Sequence, residues 1–455
     1  MHIVLKTTLA AFAVGTALLA IDDSQADTPE KRITEQRSVG AFSAIELSGP
    51  YDVTIDAQGR SGLRLSGERA QLDEVEVFVR GDTLVVRPVD SRIFRFGFNR
   101  RRQAVTIDIG TPRLERLAMS GSGDVTLAQV NGERVAVQVD GPGDLQAWGA
   151  VRDLALRVSG SGDADLHRVR ASKVEVTMTG PGDVRLANVD HDLRARLTGS
   201  GDLDADDLRL ARLDARLTGP GGVRLRGSSL DVRAEITGSG DFDACDLAAG
   251  RVSMQQRGPG SACVGGAVTR LDAEVQGSGD FTARGLRAQA ATLRLEGPGN
   301  VTIGGTVANL KAELTGSGDL DGSALEAGTA AIKSRGPGAV ALARVSDVLE
   351  AELRGSGDLK TDIDGKRLVL TSSGPGGAEI GGQVDLVRAQ LSGSGALDGS
   401  RLTAGRADIA VDGPGSARVH VLRDGRRQVR QDAGTKDEST RLLVVQRGGS
   451  TTTAD

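Results

Sequence analysis

The sequence predicts an all-β chain folded as a single-stranded parallel β-helix, a solenoid of about 20 residues per coil. Three observations predict it. First, from Gly121 onward Gly-Ser-Gly and Gly-Pro-Gly tripeptides punctuate the chain. They begin at Gly121, Gly141, Gly160, Gly180, Gly199, Gly219, Gly238, Gly258, Gly277, Gly297, Gly316, Gly336, Gly355, Gly374, Gly393 and Gly413. Ser and Pro alternate through all sixteen, at steps of 20 and 19 residues up to Gly355 and of 19, 19 and 20 beyond it. Second, apolar residues between motifs alternate with polar ones. After Gly199 come Leu203 and Ala205, then Leu208 and Leu210, then Leu213, Ala215 and Leu217. Segments of three to five residues with period 2 are short strands, and the phase breaks a helical period of 3.6. Third, only 2% of the 455 residues are aromatic. A narrow tube filled by Val, Leu, Ile and Ala has no room for rings.

Residues 1–26 read as a secretory signal peptide. His2 and Lys6 open it, Leu9 to Ile21 is its apolar run, and Ser24-Gln25-Ala26 places small residues before the cut. Residues 27–118 read as an N-terminal β region that caps the open end of the tube and continues its sheets. Its strands are marked by Ile45 and Leu47, Val53 and Ile55, Leu63 and Leu65, Val75, Val77 and Val79, and Val105, Ile107 and Ile109. Residues 119–421 are the repeat array. In each Gly-Pro-Gly, Pro fixes φ and the following Gly accepts positive φ, which predicts a type II turn. Coils stacked at the strand spacing would make a rod roughly 77 Å long. After one more strand, Arg418 to Val421, residues 422–455 read as a polar tail in which Leu442 to Val445 can seal the last coil.

Composition excludes several classes. Lys and Arg number 56 against 61 Asp and Glu, so a polybasic nucleic-acid coat is excluded. Two cysteines exclude a disulfide-dense scaffold, and four histidines leave little for metal or triad chemistry. No apolar stretch is long enough for a transmembrane helix.

Outward positions carry the remaining information. The residue three before each motif runs Glu235, Gln255, Glu274, Arg294, Glu313, Lys333, Glu352, an alternation of charge that is useful only between neighbours. The residue after each motif is acidic in five successive coils: Asp124, Asp144, Asp163, Asp183 and Asp202. Each carboxylate accepts backbone N–H bonds in its own turn, or the stretch is a ladder bridged by Ca²⁺, which takes oxygen ligands. Beyond Asp202 the acid persists only in the Ser coils, at Asp241, Asp280, Asp319 and Asp358.

Cys245 and Cys263 face outward in adjacent coils. One coil of rise and two residues of offset put their Cα atoms about 8 Å apart, slightly beyond disulfide reach. A bent strand closes that gap and an exported chain favours the bond, so bonded and free states both stay open. Arg92, Phe94, Arg95, Phe96, Phe98, Arg100, Arg101 and Arg102 form an aromatic–basic cluster. It is a cap hairpin, or a loop that binds an anionic surface polymer. Trp148 is outward and alone.

Phe42-Ser-Ala-Ile45-Glu-Leu47-Ser-Gly49, the extended segment Val105 to Pro112, and Ser120-Gly-Ser-Gly-Asp124 with its successors resemble the GIN-domain family, the heads of autotransporter adhesins. The resemblance covers residues ~37–420. It implies an exported, right-handed β-helix similar to pectin-lyase folds, without recognised catalytic residues and with a role in cell adhesion. The array here is longer and more regular, and no outer-membrane barrel, sorting signal or lipid anchor is visible, so self-display is not expected. The expected function is therefore a non-catalytic binding or structural rod at the cell envelope, periplasmic or extracellular, with an anionic glycan as partner and no nucleic acid. The alternative is a β-helix lyase or hydrolase of acidic polysaccharides. That enzyme needs a coil that breaks the pattern with clustered acids, a base and stacking aromatics. His167 and His191 stand in different coils at unmatched offsets.

Overall fold

A computed structural model describes residues 32–89, 105–422, 440–446 and 449–452. The all-β expectation holds: 69% of the described residues are strand and 1% helix, in parallel stacked coils that form a β-solenoid of about 15 turns.

Within a coil the short strands expected from the sequence run together into one bent ribbon of up to 15 residues, such as Leu203–Leu217 and Val223–Ile236. The bends fall where alternation slips. Leu203 and Ala205 point inward, Asp206 and Asp207 both point out, and Leu208 and Leu210 return inward. Ala211 and Arg212 again point out before Leu213, Ala215 and Leu217. Two adjacent outward residues rotate the ribbon, so each coil has three faces and closes at its glycine motif. Neighbouring coils pair in parallel with like phases, as in Leu213↔Val232, Ala215↔Ala234 and Leu217↔Ile236. Register slips gather at the first bend, for example between Ala205 and Leu208.

That bend needs left-handed backbone. Gly149, Asn188, Gly227, Gly266 and Gly305, spaced 39 residues apart, have φ of 143, 57, 127, 85 and 119°. Asn is the side chain that tolerates this region best.

The motif glycines do something else, and the type II turn is overturned. None of them is among the positive-φ residues. They are glycine because the corners stack: a Cβ on Gly201 would land on the carbonyl oxygen of Gly182, and one on Gly199 on that of Gly180. The carbonyls thus lie along the Cα–H directions of the next coil. Gly201 N–H donates to Gly180 O at 3.3 Å and Thr198 N–H to Met178 O at 2.9 Å. Apart from Ser122, whose N–H donates to Gly49 O at 3.2 Å, no middle residue of the motifs is a donor in this set, so proline fits there.

One hydrophobic cluster fills the tube from end to end. The expectation of no interior rings is corrected within the repeat array at Phe242 and Phe281, which are fully buried, and in the N-terminal region at Phe42 and Tyr51. Ala262 lies between Phe242 and Phe281 in register, and its small side chain makes the room.

In the N-terminal region β1 is Ile33–Arg37, β2 Ala44–Leu47, β3 Asp52–Asp56 and β4 Gly62–Gly67. After the short helix α1, Arg69–Asp73, come β5 Val75–Arg80, β6 Thr83–Pro88, β7 Thr106–Gly110 and β8 Arg116–Met119. The first full coil strand is β9, Val125–Val139. β3 and β8 both pair with β9 in parallel, and β2 pairs with β8, so two faces of the tube extend into this region. The order β1–β4–β7–β3 lengthens the first face and β5–β6–β2 the third.

The corner column therefore starts earlier than Gly121. Ser48-Gly49-Pro50-Tyr51-Asp52 is its first member: a Cβ on Gly121 would strike Gly49 O, and one on Gly123 would strike Tyr51 O. Tyr51 stands where later corners need glycine, and its buried ring folds against Gly49. Burial, with the Glu74 charge adding to it, pushes the Tyr51 phenol up to about 12. An unfolded tyrosine titrates near ~10. Below that pH both states hold the proton; between the two values only the unfolded chain releases it, so stability falls as pH rises through the window. Tyr51→Phe is expected to flatten the urea midpoint between pH ~10 and ~12, and an unchanged slope would refute the assignment.

At the other end the predicted last strand is Ala417–Leu422. The chain beyond it is not all tail. Thr440–Val445 pairs antiparallel with Ala417–Leu422, and Gly449–Thr452 pairs antiparallel with Asp408 to Val411. Val445 is buried and Leu443 packs on the core, whereas Leu442 and Val444 are exposed.

Candidate binding surface

Outward side chains form straight columns along the stack, because parallel pairing repeats every coil. On the third face one column reads Arg134, Asp153, Lys173, Asp192, Arg212, Asp231, Arg251. The column anticipated from the sequence, Glu235 to Glu352, is in register coil by coil. Ion pairs run between coils, Arg257–Glu235 at 3.2 Å and Arg196–Glu175 at 2.6 Å. Being exposed, each contributes at most about 1 kcal/mol. The columns hold register more than they stabilise.

Near the N-terminal end of this face the pattern lapses. Ala118, Ala136 and Ala155 stand where other coils carry charged or long side chains. The surface sinks into a depression flanked by Arg116, Arg157 and Glu175. It runs on into two neighbouring hollows that share Arg134 and Asp153, so the three make one trough. Asp153 Oδ1 is buried there and accepts no hydrogen bond from the described residues. Sequence reading misses this trough, because its columns cross into the N-terminal region, where no motif marks the register.

Trp148 is not alone. Arg168, its register partner in the next coil, lies 5.2 Å from the ring centroid. Beside it the His167 ring contacts Asp165 at 2.5 Å. Burial works to raise Asp165, but hydrogen bonds from the His167 side chain and backbone hold it below the usual carboxylate range.

The acidic ladder is made of hydrogen bonds between coils, which corrects the expectation that each Asp binds its own turn. Asp144 N–H donates to Asp124 Oδ1 at 3.0 Å, Asp163 to Asp144 at 2.8 Å, Asp183 to Asp163 at 2.9 Å, and Asp202 to Asp183 at 2.8 Å. Gly222 N–H closes the run on Asp202 at 2.7 Å. This explains the half-occupied ladder beyond it: Ser261, Asn300, Ala339 and Gly377 each supply an N–H to the Asp one coil before. Asp163→Ala is expected to lower stability by about 1–2 kcal/mol by orphaning the Asp183 N–H. Asp163→Asn, which keeps the acceptor as Asn300 does for Asp319, is expected to recover most of it. In the Ca²⁺ reading Asn would be as damaging as Ala, and the melting temperature would move with Ca²⁺ and chelator.

Cys245 and Cys263 are joined as a disulfide, with Cα atoms 5.1 Å apart, closer than the ~8 Å expected from coil rise and offset. The register pairs Asp243 with Cys263 and then jumps from Ala244↔Val264 to Ala248↔Gly265, so the bulge carries Cys245 over its partner. The cluster Arg92, Phe94, Arg95, Phe96, Phe98, Arg100, Arg101 and Arg102 lies outside the described residues.

The sequence matches the family profile described as "Putative auto-transporter adhesin, head GIN domain" over residues 41–205, 188–285, 266–361 and 343–433. The chain belongs to that GIN head-domain family. Overlapping matches are what a repetitive GIN chain should give, since successive runs of coils resemble one another. No curated protein matches the chain. Among solved structures, it is similar to a "putative adhesin" of Bacteroides fragilis NCTC 9343, at 18% identity over 73% of this chain and 97% of that one, with a TM-score of 0.27. A "putative lipid binding protein" of Parabacteroides distasonis ATCC 8503 is 18% identical over 66% and 97%, with a TM-score of 0.29. A "putative adhesin" of Parabacteroides merdae ATCC 43184 is 13% identical over 64% and 93%, with a TM-score of 0.29. No helix of the described residues is long and apolar enough to cross a membrane.

Proposed function

We propose that this GIN chain is an exported, non-catalytic rod that binds a polymer at the cell envelope, in the periplasm or outside the cell, and that the trough on its third face is one of its contact surfaces. The observation that carries this reading is the repetition of the same outward positions over about 15 turns, which offers many weak contacts in a line. Avidity then multiplies them. Membership of an adhesin-head family supports it. In the trough, Arg116, Arg157 and Lys173 supply cations, a set suited to an anionic glycan. Arg100, Arg101 and Arg102 are proposed as a second basic contact.

The test incubates residues 27–455 with acidic polysaccharides, lipopolysaccharide and whole cells, and counts retained protein and new chain ends together. Retention without cleavage is expected. Ala155→Trp, which fills the trough, should reduce retention severalfold at an unchanged melting temperature. New chain ends would establish instead the polysaccharide lyase or hydrolase reading. Retention that neither Ala155→Trp nor the Arg100 to Arg102 alanine triple reduces would remove both proposed surfaces.

A further inference from the structure

The first bend of the coil that begins at Gly238 carries chemistry unlike the rest of the rod. Among the described residues, Asp243, Cys245 and Cys263 are the one group of three His, Cys, Asp or Glu side chains whose ligand atoms all lie within 4.8 Å of one another. We infer that this triad has two exclusive states: oxidised, a disulfide clasp between coils; reduced, a Cys₂Asp site for a thiophilic divalent metal of the Zn²⁺ class.

The backbone prepares the second state. Asp243 and Cys263 are direct register partners on adjacent coils, so their side chains project from the same outward column. The bulge after Ala244 swings Cys245 over that column, and the parallel pairing that flanks it brings the two Cα atoms to 5.1 Å. Asp243 Oδ1 accepts the Cys245 N–H at 3.1 Å, which aims the carboxylate at the sulfurs. Arg224 lies 3.8 Å from the other oxygen but makes its shorter pair, 3.1 Å, with Asp204, so it leaves the carboxylate free to ligate. All three residues are partly exposed, so a metal can reach them from solvent.

The metal demands little. Tetrahedral Zn²⁺ with Zn–S near ~2.3 Å holds two sulfurs about 3.8 Å apart and a carboxylate oxygen at a similar distance. Rotation about χ1 of the two cysteines supplies that once the S–S bond is cut. Two thiolates and one carboxylate leave the fourth position to water and favour Zn²⁺ or Cd²⁺ over Ca²⁺ or Mg²⁺. The balance is simple. A dithiol reductant gives two electrons and two protons to the disulfide and becomes a disulfide itself. The metal then displaces the two thiol protons.

The test uses the full chain after reduction by a dithiol and removal of the reagent, with Cd²⁺ as probe and Zn²⁺ as competitor. Thiol titration should count two free thiols, and Cd²⁺ should raise a thiolate-to-metal charge-transfer band that saturates at one equivalent. Zn²⁺ should bleach it. The oxidised chain should show no band, and Cys245→Ser or Cys263→Ser should abolish it. Asp243→Asn should keep the band but weaken Cd²⁺ binding about tenfold, with circular dichroism unchanged. Two free thiols without a band would overturn the site. A band whose affinity ignores Asp243→Asn would overturn the carboxylate's part in it.

Discussion

Gly201→Ala, in the middle of the array, is expected to destabilise the rod by about 3 kcal/mol, the upper range for overpacking with loss of hydrogen bonds. A methyl group there meets the carbonyl oxygen of Gly182, not the end of a flexible side chain, so two coils must separate. That separation stretches the Gly201 N–H to Gly180 O bond and the Asp202 N–H to Asp183 Oδ1 bond beside it. Ser200→Ala, one residue away at the exposed middle position, is expected to change stability by no more than about 0.5 kcal/mol. Urea unfolding compares the two, and hydrogen exchange locates the damage. Because coils touch only their neighbours, lost protection should centre on the coils beginning at Gly180 and Gly199. Equal effects of the two substitutions would mean that corner stacking is not what requires glycine.

Removing the disulfide, by Cys245→Ser with Cys263→Ser or by reductant, is expected to cost about 3 kcal/mol, from the chain entropy of a loop this short. The bond closes a separation of 18 residues where the stack is least regular. The coil beginning at Gly258 has only Ala262–Gly265 on its first side before Gly266 turns at φ 85° and Arg270–Val275 resumes pairing. Protection should fall first over residues 262–270. An unfolding midpoint identical in oxidised and reduced protein would show that pairing alone holds this bend.

Most of the architecture is legible in the residues. The motif spacing sets the coil length, and Leu203 to Leu217 announce which side chains face the core. The alternating Glu235 to Glu352 column also gives the coil-to-coil register of the third face correctly. Other readings fail for particular reasons. Local φ preferences point to a type II turn at Gly-Pro-Gly, whereas the glycines answer to a carbonyl in the preceding coil that no local rule contains. Local rules also give each Asp to its own turn, but the donors lie 19 or 20 residues on. Phe242 and Phe281 fit inside because Ala262 separates them. Ser48-Gly49-Pro50-Tyr51-Asp52 is readable as a degenerate corner, yet Tyr51 in the third position hides it.

By itself, then, the sequence determined the coil length near 20 residues and the inward or outward sense of nearly every residue, since a period of 2 within a period near 20 admits one way to bury the apolar side. The tertiary structure decided what meets what across the coils: the alanine trough beside Asp153, the Trp148–Arg168 contact, the direction of the Asp ladder and the approach of Cys245 to Cys263. The physical reason lies in the bends. Each bulge there shifts register by one to three residues, a displacement too small to disturb the repeat but large enough to decide which side chains touch.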